Sequence, residues 1–329
     1  MPDEYQHKGV LAKEVIDYLE PKSNQNFVDC TLGGGGHSFM ILEKIGPKGK
    51  LIAFELDSRA IRASKERLKK FKDRLIIVNK NFVHLEEEVK KHQLDISGIV
   101  LDLGLSSDQL DKADRGFSFK DHGPLDMRFD PTGQALTASD IILNYNEDQL
   151  FKIFREYGEV YQPKRLARNI VTWRKNLDKQ KQKAIKTSML VVAILRILNI
   201  SSKYSSEQKQ TNLQKYRIHP ATKIFQALRI AVNDELGSLQ KTLPQAFSVL
   251  QPAGRLAVIS FHSLEDRIVK NYFKDLARGC ICPPESPICR CNQKPRVKII
   301  TKKGIKPSSE EIKANPRSRS AILRVIEKI

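Results

Sequence analysis

The sequence predicts an α/β protein with a mostly parallel, doubly wound sheet that is interrupted by a helical insertion. Four short apolar runs in residues 26–103 alternate with helical patterns, which is typical of parallel β-α units. Strand signals are scarce from residue 115 to 216, and they resume at Gly254–Ser260. We therefore expect a discontinuous sheet domain, residues 1–114 plus 217–329, and a helical domain at residues 115–216.

Each predicted strand is a short apolar run, and each predicted helix has apolar residues at helical spacing. The longest helix begins at Pro220, and its apolar stripe continues to Leu243. The other predicted helices are Ser58–Phe71, Asp148–Phe154, Pro163–Trp173 and Ser188–Leu198. The predicted strands are Asn26–Cys30, Leu51–Phe54, Leu75–Val78, Gly98–Leu103, Gly254–Ser260, Val297–Thr301 and Ala321–Ile326.

A glycine cluster between the first strand and the next helical pattern indicates a ligand-binding loop. Residues Asp29–His37 read D-C-T-L-G-G-G-G-H. Without Cβ atoms, this loop lets a ligand approach the backbone closely. Glu55 ends the second strand, about 20 residues further on, where an acid can accept both hydroxyls of a ribose. The pair predicts a nucleoside-bearing cofactor.

The spacing of the glycines bears on which cofactor is bound. The dinucleotide pattern G-x-G-x-x-G fails, because its last position is Ser38 when counted from Gly33 and Phe39 when counted from Gly34. A nicotinamide dehydrogenase is therefore disfavoured, and the loop is more typical of S-adenosylmethionine-dependent methyltransferases. The alternative is a glycine turn without a ligand, although idle glycines would cost about 1 kcal/mol each.

The net charge of +19 is unevenly distributed along the chain. Residues 151–220 contain 16 Lys and Arg against 4 Asp and Glu, and residues 290–329 contain 12 against 3. Residues 1–150 are slightly acidic, with 21 against 25. Two basic segments beside a nearly neutral domain predict binding to a nucleic acid backbone, and the alternative is a solvated basic surface.

Neither the apolar runs nor the N-terminus suggests a membrane protein. The run Met189–Leu198 has about half the length of a membrane span and contains Arg196. The first residues, Met1-Pro2-Asp3-Glu4, do not resemble a signal peptide. We expect a cytoplasmic protein that has no membrane partner.

Four of the five cysteines form two C-x-C pairs, Cys280 with Cys282 and Cys289 with Cys291. Four such thiolates could bind zinc, although C-x-x-C is the more common spacing. Reduced surface thiols are the alternative, and disulfides are not expected in the cytoplasm.

Residues with catalytic potential follow two of the predicted strands. Asp102 ends the fourth strand and is followed by Ser106 and Ser107, and His262 follows the fifth. Ligands of open α/β sheets bind outside the carboxyl ends of the strands. These four residues are therefore the catalytic candidates, and a purely structural role is equally open for His262.

A second group of residues is a candidate for substrate binding. Aromatic residues interleaved with arginines on a loop suit base stacking and phosphate contact, and the alternative is that the aromatics fill the core. A polar stripe on the helix that begins at Pro220 either lines a cleft or faces solvent. The candidates are Arg115, Phe117, Phe119, Arg128, Gln226, Arg229 and Asn233.

Sequence blocks over nearly the whole chain closely resemble the RsmH (MraW) family of 16S ribosomal RNA cytosine-N4 methyltransferases. This resemblance implies a class I S-adenosylmethionine-dependent methyltransferase fold, which is Rossmann-like with a mostly parallel seven-stranded sheet, and an inserted all-helical domain. It also implies methyl transfer from S-adenosyl-L-methionine to N4 of a decoding-centre cytidine in 16S rRNA of the small ribosomal subunit. The matching blocks include Asp29–Ser38, Leu101–Leu110, Arg115–Phe119, Gly123–Asp130, His219–Glu235, Ser260–Lys270 and Asn315–Arg324.

The resemblance also assigns residues, position by position. Glu55 stands where the family usually has Asp, and zinc binding is not implied because relatives do not all share the cysteines. The implied cofactor contacts are Gly35, Gly36, His37, Glu55, Phe82, Asp102 and Gln109.

Two other functions compete with this interpretation. One is a ribosome-assembly factor that binds RNA and has a vestigial cofactor site. The other is a DNA amino-methyltransferase, which the absence of a D-P-P-Y-like motif and of a target-recognition domain disfavours, so that no DNA partner is expected. For methyl transfer, we expect Asp102 or a carbonyl near Ser106 to accept a hydrogen of the amine of a flipped base.

Overall fold

The computed structural model describes residues 9–119, 122–177, 184–198, 219–280, 282, 291 and 293–329, and only the backbone of Ser107 and Asp108. The chain forms two compact units. We call Met1–Gly104 with Leu236–Ile329 the sheet unit, and Leu105–Glu235 the helical unit.

The boundaries of these units differ from those expected from the sequence. The helical unit begins at Leu105 instead of residue 115, and it ends at Glu235 instead of residue 216. The later end has a packing cause, because the helix Pro220–Asn233 contributes Ile224 and Leu228 to the core of the helical unit.

The sheet unit contains a seven-stranded sheet with the order β3-β2-β1-β4-β5-β7-β6. Strands β1 to β5 are parallel, and β7 is antiparallel to both β5 and β6. This is the strand order of class I methyltransferases, and it confirms the predicted fold. The strands are β1 Asn26–Asp29, β2 Leu51–Phe54, β3 Leu75–Val78, β4 Ile96–Asp102, β5 Leu250–Ser260, β6 Val297–Ile299 and β7 Ile322–Lys328.

Both faces of the sheet are covered, which explains why its parallel strands are continuous apolar runs. Val28 of β1 lies in one core cluster and its neighbour Phe27 in the other. One cluster includes side chains of α1 (Ala12–Leu19) and α2 (Gly36–Lys44). The other cluster includes side chains of α4 (Leu85–His92), α11 (Glu235–Val249) and α12 (Ser263–Ala277). Two further helices of this unit are α3 (Ser58–Arg67) and α13 (Ser309–Ala314).

The helical unit packs its helices around one buried apolar cluster. The predicted helices near residues 148, 163 and 188 are present, each within two residues of its expected limits. None of the described helices in either unit is both long and apolar enough to cross a bilayer. The helices of this unit are α5 Ser107–Asp111, α6 Ala138–Asn144, α7 Glu147–Glu156, α8 Pro163–Lys175, α9 Thr187–Ile197 and α10 Pro220–Asn233.

One prediction for the helices was wrong. The apolar stripe from Pro220 to Leu243 indicated a single helix, but the structure has two, α10 and α11. The break is at Asp234, whose φ of 47° is left-handed and ends α10. Aspartate tolerates this conformation better than most residues, and the apolar spacing gives no sign of it.

Candidate active site

Asp29 organises the glycine loop at the carboxyl end of β1. Its carboxylate accepts hydrogen bonds from the Thr31 backbone N–H at 3.0 Å and from Ser38 Oγ at 2.7 Å. Within the loop, Gly33 and Gly35 have φ values of 48° and 73°, which glycine adopts without strain. Burial raises the pKa of Asp29, and the bond from Ser38 opposes that shift. The buried carboxyl of Asp29, which belongs to the same motif, therefore fixes the conformation of the loop.

The predicted acidic partner of the loop, Glu55, lies directly against it. One carboxylate oxygen accepts the Gly33 backbone N–H at 2.8 Å. The other accepts the N–H groups of Leu56 and Asp57 at 2.8 and 2.9 Å. Burial raises the pKa of Glu55, and these three donors lower it in part. The structure thus brings the glycine loop and the acid together, as the sequence spacing indicated.

A buried histidine–aspartate pair lies beside the same loop. His37 is in the first turn of α2, and its Nε2 is 3.3 Å from Oδ2 of Asp102, the last residue of β4. The Asp102 backbone N–H donates to Thr31 Oγ1 at 2.7 Å, which ties the end of β4 to the loop. The sequence suggested both residues separately but not their pairing.

The electrostatics of this pair favour a protonated histidine. Burial alone lowers the pKa of His37, but the carboxylates of Asp102, Asp29 and Glu311 outweigh it, so that the pKa lies above its usual value. His37 Nδ1, His37 Nε2 and Asp102 Oδ1 are buried, and none of them has a hydrogen-bond partner among the described residues, so that the 3.3 Å contact of Nε2 with Asp102 Oδ2 is an ion-pair distance and not a hydrogen bond. Three buried polar atoms without such a partner thus lie at the junction of β1 and β4, the switch point of the sheet, where ligands of open α/β sheets bind.

These residues fit a cofactor that carries a ribose and an amino-acid moiety. A Cβ on Gly33 would have only the Thr31 carbonyl oxygen within 4 Å, at 3.8 Å, so that backbone is open to a ligand. Gly36 begins α2, whose first N–H groups lie at the same loop. Phe82, which begins a 3₁₀ turn shortly after β3, is half-buried. A carboxylate such as that of Glu55 is the kind of acceptor that ribose hydroxyls require, and the cofactor roles of these residues remain predictions.

Ser106 and Gln109 lie in the helical unit and cap α5. Ser106 Oγ accepts the Gln109 backbone N–H at 3.2 Å, and Gln109 Oε1 accepts the Ser106 backbone N–H at 3.1 Å. This is a capping box, in which each side chain satisfies a backbone donor of the other residue. The side chain of Ser107 lies outside the described residues. The catalytic role of the serines and the cofactor role of Gln109 remain predictions.

His262 caps α12 immediately after β5. Its Nδ1 accepts the Glu265 backbone N–H at 3.4 Å, and its Nε2 is 3.1 Å from Glu265 Oε1. Glu265 Oε2 in turn accepts the Phe261 backbone N–H at 2.8 Å. This geometry gives His262 the structural role that was left open, while its catalytic role stays a prediction. Sequence reasoning missed Glu265, although an acid three residues after a capping position is a usual signal.

The predicted substrate-binding arginines are bonded within the helical unit. Arg115 is buried and donates to the carbonyl oxygens of Arg128 and Phe129 at 2.9 and 3.1 Å. Arg128 forms a bidentate ion pair with Asp126, at 2.8 and 2.7 Å. Asn233 Oδ1 accepts the Phe129 backbone N–H at 2.8 Å. Together these contacts fix the loop of residues 126–134 and attach it to Arg115 and to α10.

The remaining substrate candidates also pack within this unit. Phe117 is buried, and Phe119 stacks on His219 with 4.7 Å between ring centroids. Arg229 pairs with Glu235 through two hydrogen bonds of 2.8 and 2.9 Å. The polar stripe of α10 continues with Gln226, which donates to the Tyr157 carbonyl oxygen at 3.3 Å. The stripe thus makes contacts inside the helical unit, and its role in substrate binding remains a prediction.

Sequence reasoning missed a basic and aromatic surface at the start of α8. Tyr161 has 83% of its surface exposed, and Lys164, Arg165 and Arg168 are exposed on the helix that follows. Arg168 Nε is 3.5 Å from Glu147 Oε1, and Arg165 donates to Gln162 Oε1 at 3.3 Å. The basic composition of residues 151–220 was the available signal, and the structure gathers part of it on one helix.

The chain is similar over its full length to known methyltransferases. The model of the MraW methylase family matches residues 4–329. Ribosomal RNA small subunit methyltransferase H of Heliobacterium mobile is 48% identical, over 99% of this chain and 100% of that protein. The protein of the same name from Clostridioides difficile (strain 630) is 46% identical with the same coverage.

A solved rRNA methylase from Streptococcus thermophilus aligns with a TM-score of 0.40 and 9% identity, over 96% of this chain and 95% of that chain. The strand order, rather than this alignment, identifies the fold. Given the family match and the full-length relatives, this chain belongs to the MraW methylase family and is an S-adenosylmethionine-dependent methyltransferase.

Proposed function

We propose that this chain methylates N4 of a decoding-centre cytidine in 16S rRNA of the small ribosomal subunit. The observation that carries the chemistry is the buried Asp102–His37 pair beside the glycine loop. The names of the full-length relatives support small-subunit ribosomal RNA as the substrate class. The choice of cytidine N4 rests on the sequence blocks that resemble the RsmH family.

The cofactor is assigned to the residues around the glycine loop. Glu55 accepts hydrogen bonds from the ribose hydroxyls, and the backbone of Gly33 to Gly36 faces the rest of the cofactor. When bound, S-adenosylmethionine supplies an electrophilic methyl group on a sulfonium. Gly33 could not gain a side chain without filling space that this assignment gives to the cofactor.

Asp102 is assigned to the amine of the cytosine. That amine is a weak nucleophile, because its lone pair is delocalised into the ring. Oδ1 of Asp102 accepts a hydrogen bond from the amine, which orients the nitrogen and stabilises the positive charge that develops on it as the N–C bond forms and the S–C bond breaks. The neutral thioether then leaves, and the surplus proton of the nitrogen passes to this carboxylate. His37 holds the other carboxylate oxygen. Orientation of this kind can lower a barrier by roughly 7–11 kcal/mol at best. A sulfonium leaves readily, so a strong base is not needed.

The RNA backbone is assigned to exposed basic residues in both units. On α8 these are Lys164, Arg165 and Arg168, with Tyr161 as a surface on which an unpaired base can stack. In the sheet unit, the basic segment near the C-terminus is also exposed. Its exposed side chains are Lys302, Lys303, Lys306, Lys313, Arg317 and Arg319.

Methyl transfer to isolated ribosomal subunits tests this proposal. Purified protein and tritiated S-adenosylmethionine are incubated with small subunits from cells that lack the protein, and the RNA is then mapped by mass spectrometry. We expect one methyl group per subunit, on the exocyclic amine of one cytidine, and none on subunits from wild-type cells. A methyl group on ribose or on a ring carbon would contradict the assignment. Binding to subunits without transfer would instead support the assembly factor.

A further inference from the structure

Three cysteines of the sheet unit converge in the connection between α12 and β6. The Sγ atoms of Cys280, Cys282 and Cys291 all lie within 4.8 Å of one another. The Sγ atoms of Cys280 and Cys291, which are 11 residues apart, are separated by 3.7 Å. The fourth cysteine of the two C-x-C pairs, Cys289, lies outside the described residues. The convergence of the other three is a feature of folding rather than of sequence proximity alone.

The 3.7 Å between the sulfur atoms of Cys280 and Cys291 is close to the separation of two thiolates on one metal ion, and the sulfur atom of Cys282 lies within 4.8 Å of both. In a tetrahedral site with zinc–sulfur bonds of about 2.3 Å, neighbouring sulfur atoms are about 3.8 Å apart. A disulfide would require about 2.05 Å instead, and the described cysteines form none. Soft thiolate ligands favour zinc over calcium or magnesium, which prefer oxygen. We propose that Cys280, Cys282 and Cys291 bind a structural zinc ion.

The backbone on both sides of these cysteines is held by contacts that do not involve sulfur. The Arg296 backbone N–H donates to the Leu276 carbonyl oxygen at 2.9 Å, which joins the start of β6 to the end of α12. Gln293 Nε2 donates to the Arg278 carbonyl oxygen at 3.2 Å. Arg278 Nε donates to the Cys280 carbonyl oxygen at 2.8 Å. These contacts hold the backbone next to the thiols independently of the sulfur atoms, which reduces the ordering cost of binding an ion.

The charge of the segment also suits a thiolate site. Bound thiolates carry negative charge, and the basic side chains of Arg278, Lys294 and Arg296 lie in the same connection. The ion would join Cys280 and Cys282, which follow α12, to Cys291, which precedes the edge strand β6. Its role is structural, and it does not depend on the proposed RNA substrate.

Elemental analysis of the full-length protein tests the proposal directly. We expect about one zinc ion per chain in protein purified without a metal-affinity step. Cys280→Ser, Cys282→Ser and Cys291→Ser should each lose most of it. Cys30→Ala is the matched control, because Cys30 is buried in the other half of the sheet unit, and it should keep its zinc. Wild-type protein without stoichiometric zinc would overturn the proposal, as would iron in its place or variants that retain the full content.

Replacement of zinc by cobalt gives a second test that does not rely on variants. Wild-type protein loaded with Co²⁺ should show the intense visible absorption of tetrahedral cobalt and a sulfur-to-metal charge-transfer band. A weak octahedral spectrum would contradict a thiolate site. A disulfide between Cys280 and Cys291 would also contradict a thiolate site, if thiol titration finds it in protein that is metal-free when purified under reducing conditions.

Discussion

The buried pair His37–Asp102 of the sheet unit and the loop-supporting residues of the helical unit use their polar side chains in different ways. At the strand edge of the sheet unit, His37 and Asp102 retain buried atoms that have no hydrogen-bond partner among the described residues. In the helical unit, Asn233 and Arg128 make several hydrogen bonds to their own unit. His37 and Asp102, which lie next to strand ends, are therefore the candidates for ligand contact, whereas Asn233 on α10 supports a neighbouring loop. The two groups should respond differently to mutation.

The largest effect is expected for Asp102→Asn in the sheet unit. This change keeps the size of the side chain but weakens its ability to accept an amine hydrogen. We expect turnover to fall by roughly 10²–10⁴-fold, and the free energy of unfolding to fall by about 1–3 kcal/mol because buried His37 loses its anionic partner. Single-turnover methyl transfer and urea denaturation measure the two quantities. Asp95→Asn, at the exposed opposite end of β4, is the control. Wild-type turnover in Asp102→Asn would remove this residue from the reaction.

The second effect is expected for Asn233→Ala in the helical unit. The change leaves the Phe129 N–H and the Met127 carbonyl oxygen without the partners that Asn233 gives them at 2.8 Å each. We expect a loss of about 2–3 kcal/mol in the free energy of unfolding. Denaturation measures it, and Asn169→Ala, which removes one exposed hydrogen bond on α8, should cost far less. Unchanged stability with a raised KM for RNA would mean that this stripe binds substrate. The contrast between the polar residues of the two units would then be wrong.

The parts of this structure that follow from short segments could be predicted from the sequence. Each strand is an apolar run between breaks, and all seven were found within a few residues of their limits. The contact between Glu55 and the glycine loop could be predicted because both lie at the ends of adjacent parallel strands. β5 alone began four residues earlier than expected. Its pairing with β4 shifts register between Leu250 and Arg255, so that Gln251–Gly254 lie in an irregular part of the strand.

The parts that depend on distant partners could not be predicted. Asn233 contacts Met127, which is 106 residues away, and His37 meets Asp102 only because β1 and β4 are neighbours. Asp234 ends α10 through a backbone conformation that apolar spacing does not encode. For Arg115, a buried site bonded to backbone carbonyls cannot be distinguished by residue type from a phosphate-binding site.

A smaller effect is expected from charge reversal on α8. Lys164→Glu and Arg168→Glu replace exposed cations beside Tyr161 with anions. If both contact phosphates, each change should reduce the slope of log affinity against log salt by about 1. Binding of 16S rRNA fragments across a salt series measures the slopes. Lys152→Glu, which is exposed on α7, is the control. If Lys164→Glu and Arg168→Glu show the same slope as this control, this face of α8 is excluded from the RNA interface.

The smallest effect concerns the pH dependence of stability, which should come from the sheet unit. The pKa of His37 is raised above 6.5 in the folded protein, chiefly because the carboxylate of Asp102 outweighs the effect of burial. The folded chain therefore keeps a proton that the unfolded chain loses as the pH rises past 6.5. This contribution to stability is complete below that pH and disappears as the pH passes the folded pKa.

Urea denaturation at a series of pH values measures this contribution. We expect the stability of the wild type to fall as the pH rises from 6.5 through the folded pKa, and we expect His37→Gln to show a flatter profile. His122→Gln, at an exposed position of the helical unit, should retain the wild-type profile. Parallel profiles for wild type and His37→Gln would mean that His37 is not held protonated by Asp102. His37 would then contact Asp102 as a neutral imidazole. Only geometry would distinguish this pair from the hydrogen-bonded side chains of the helical unit.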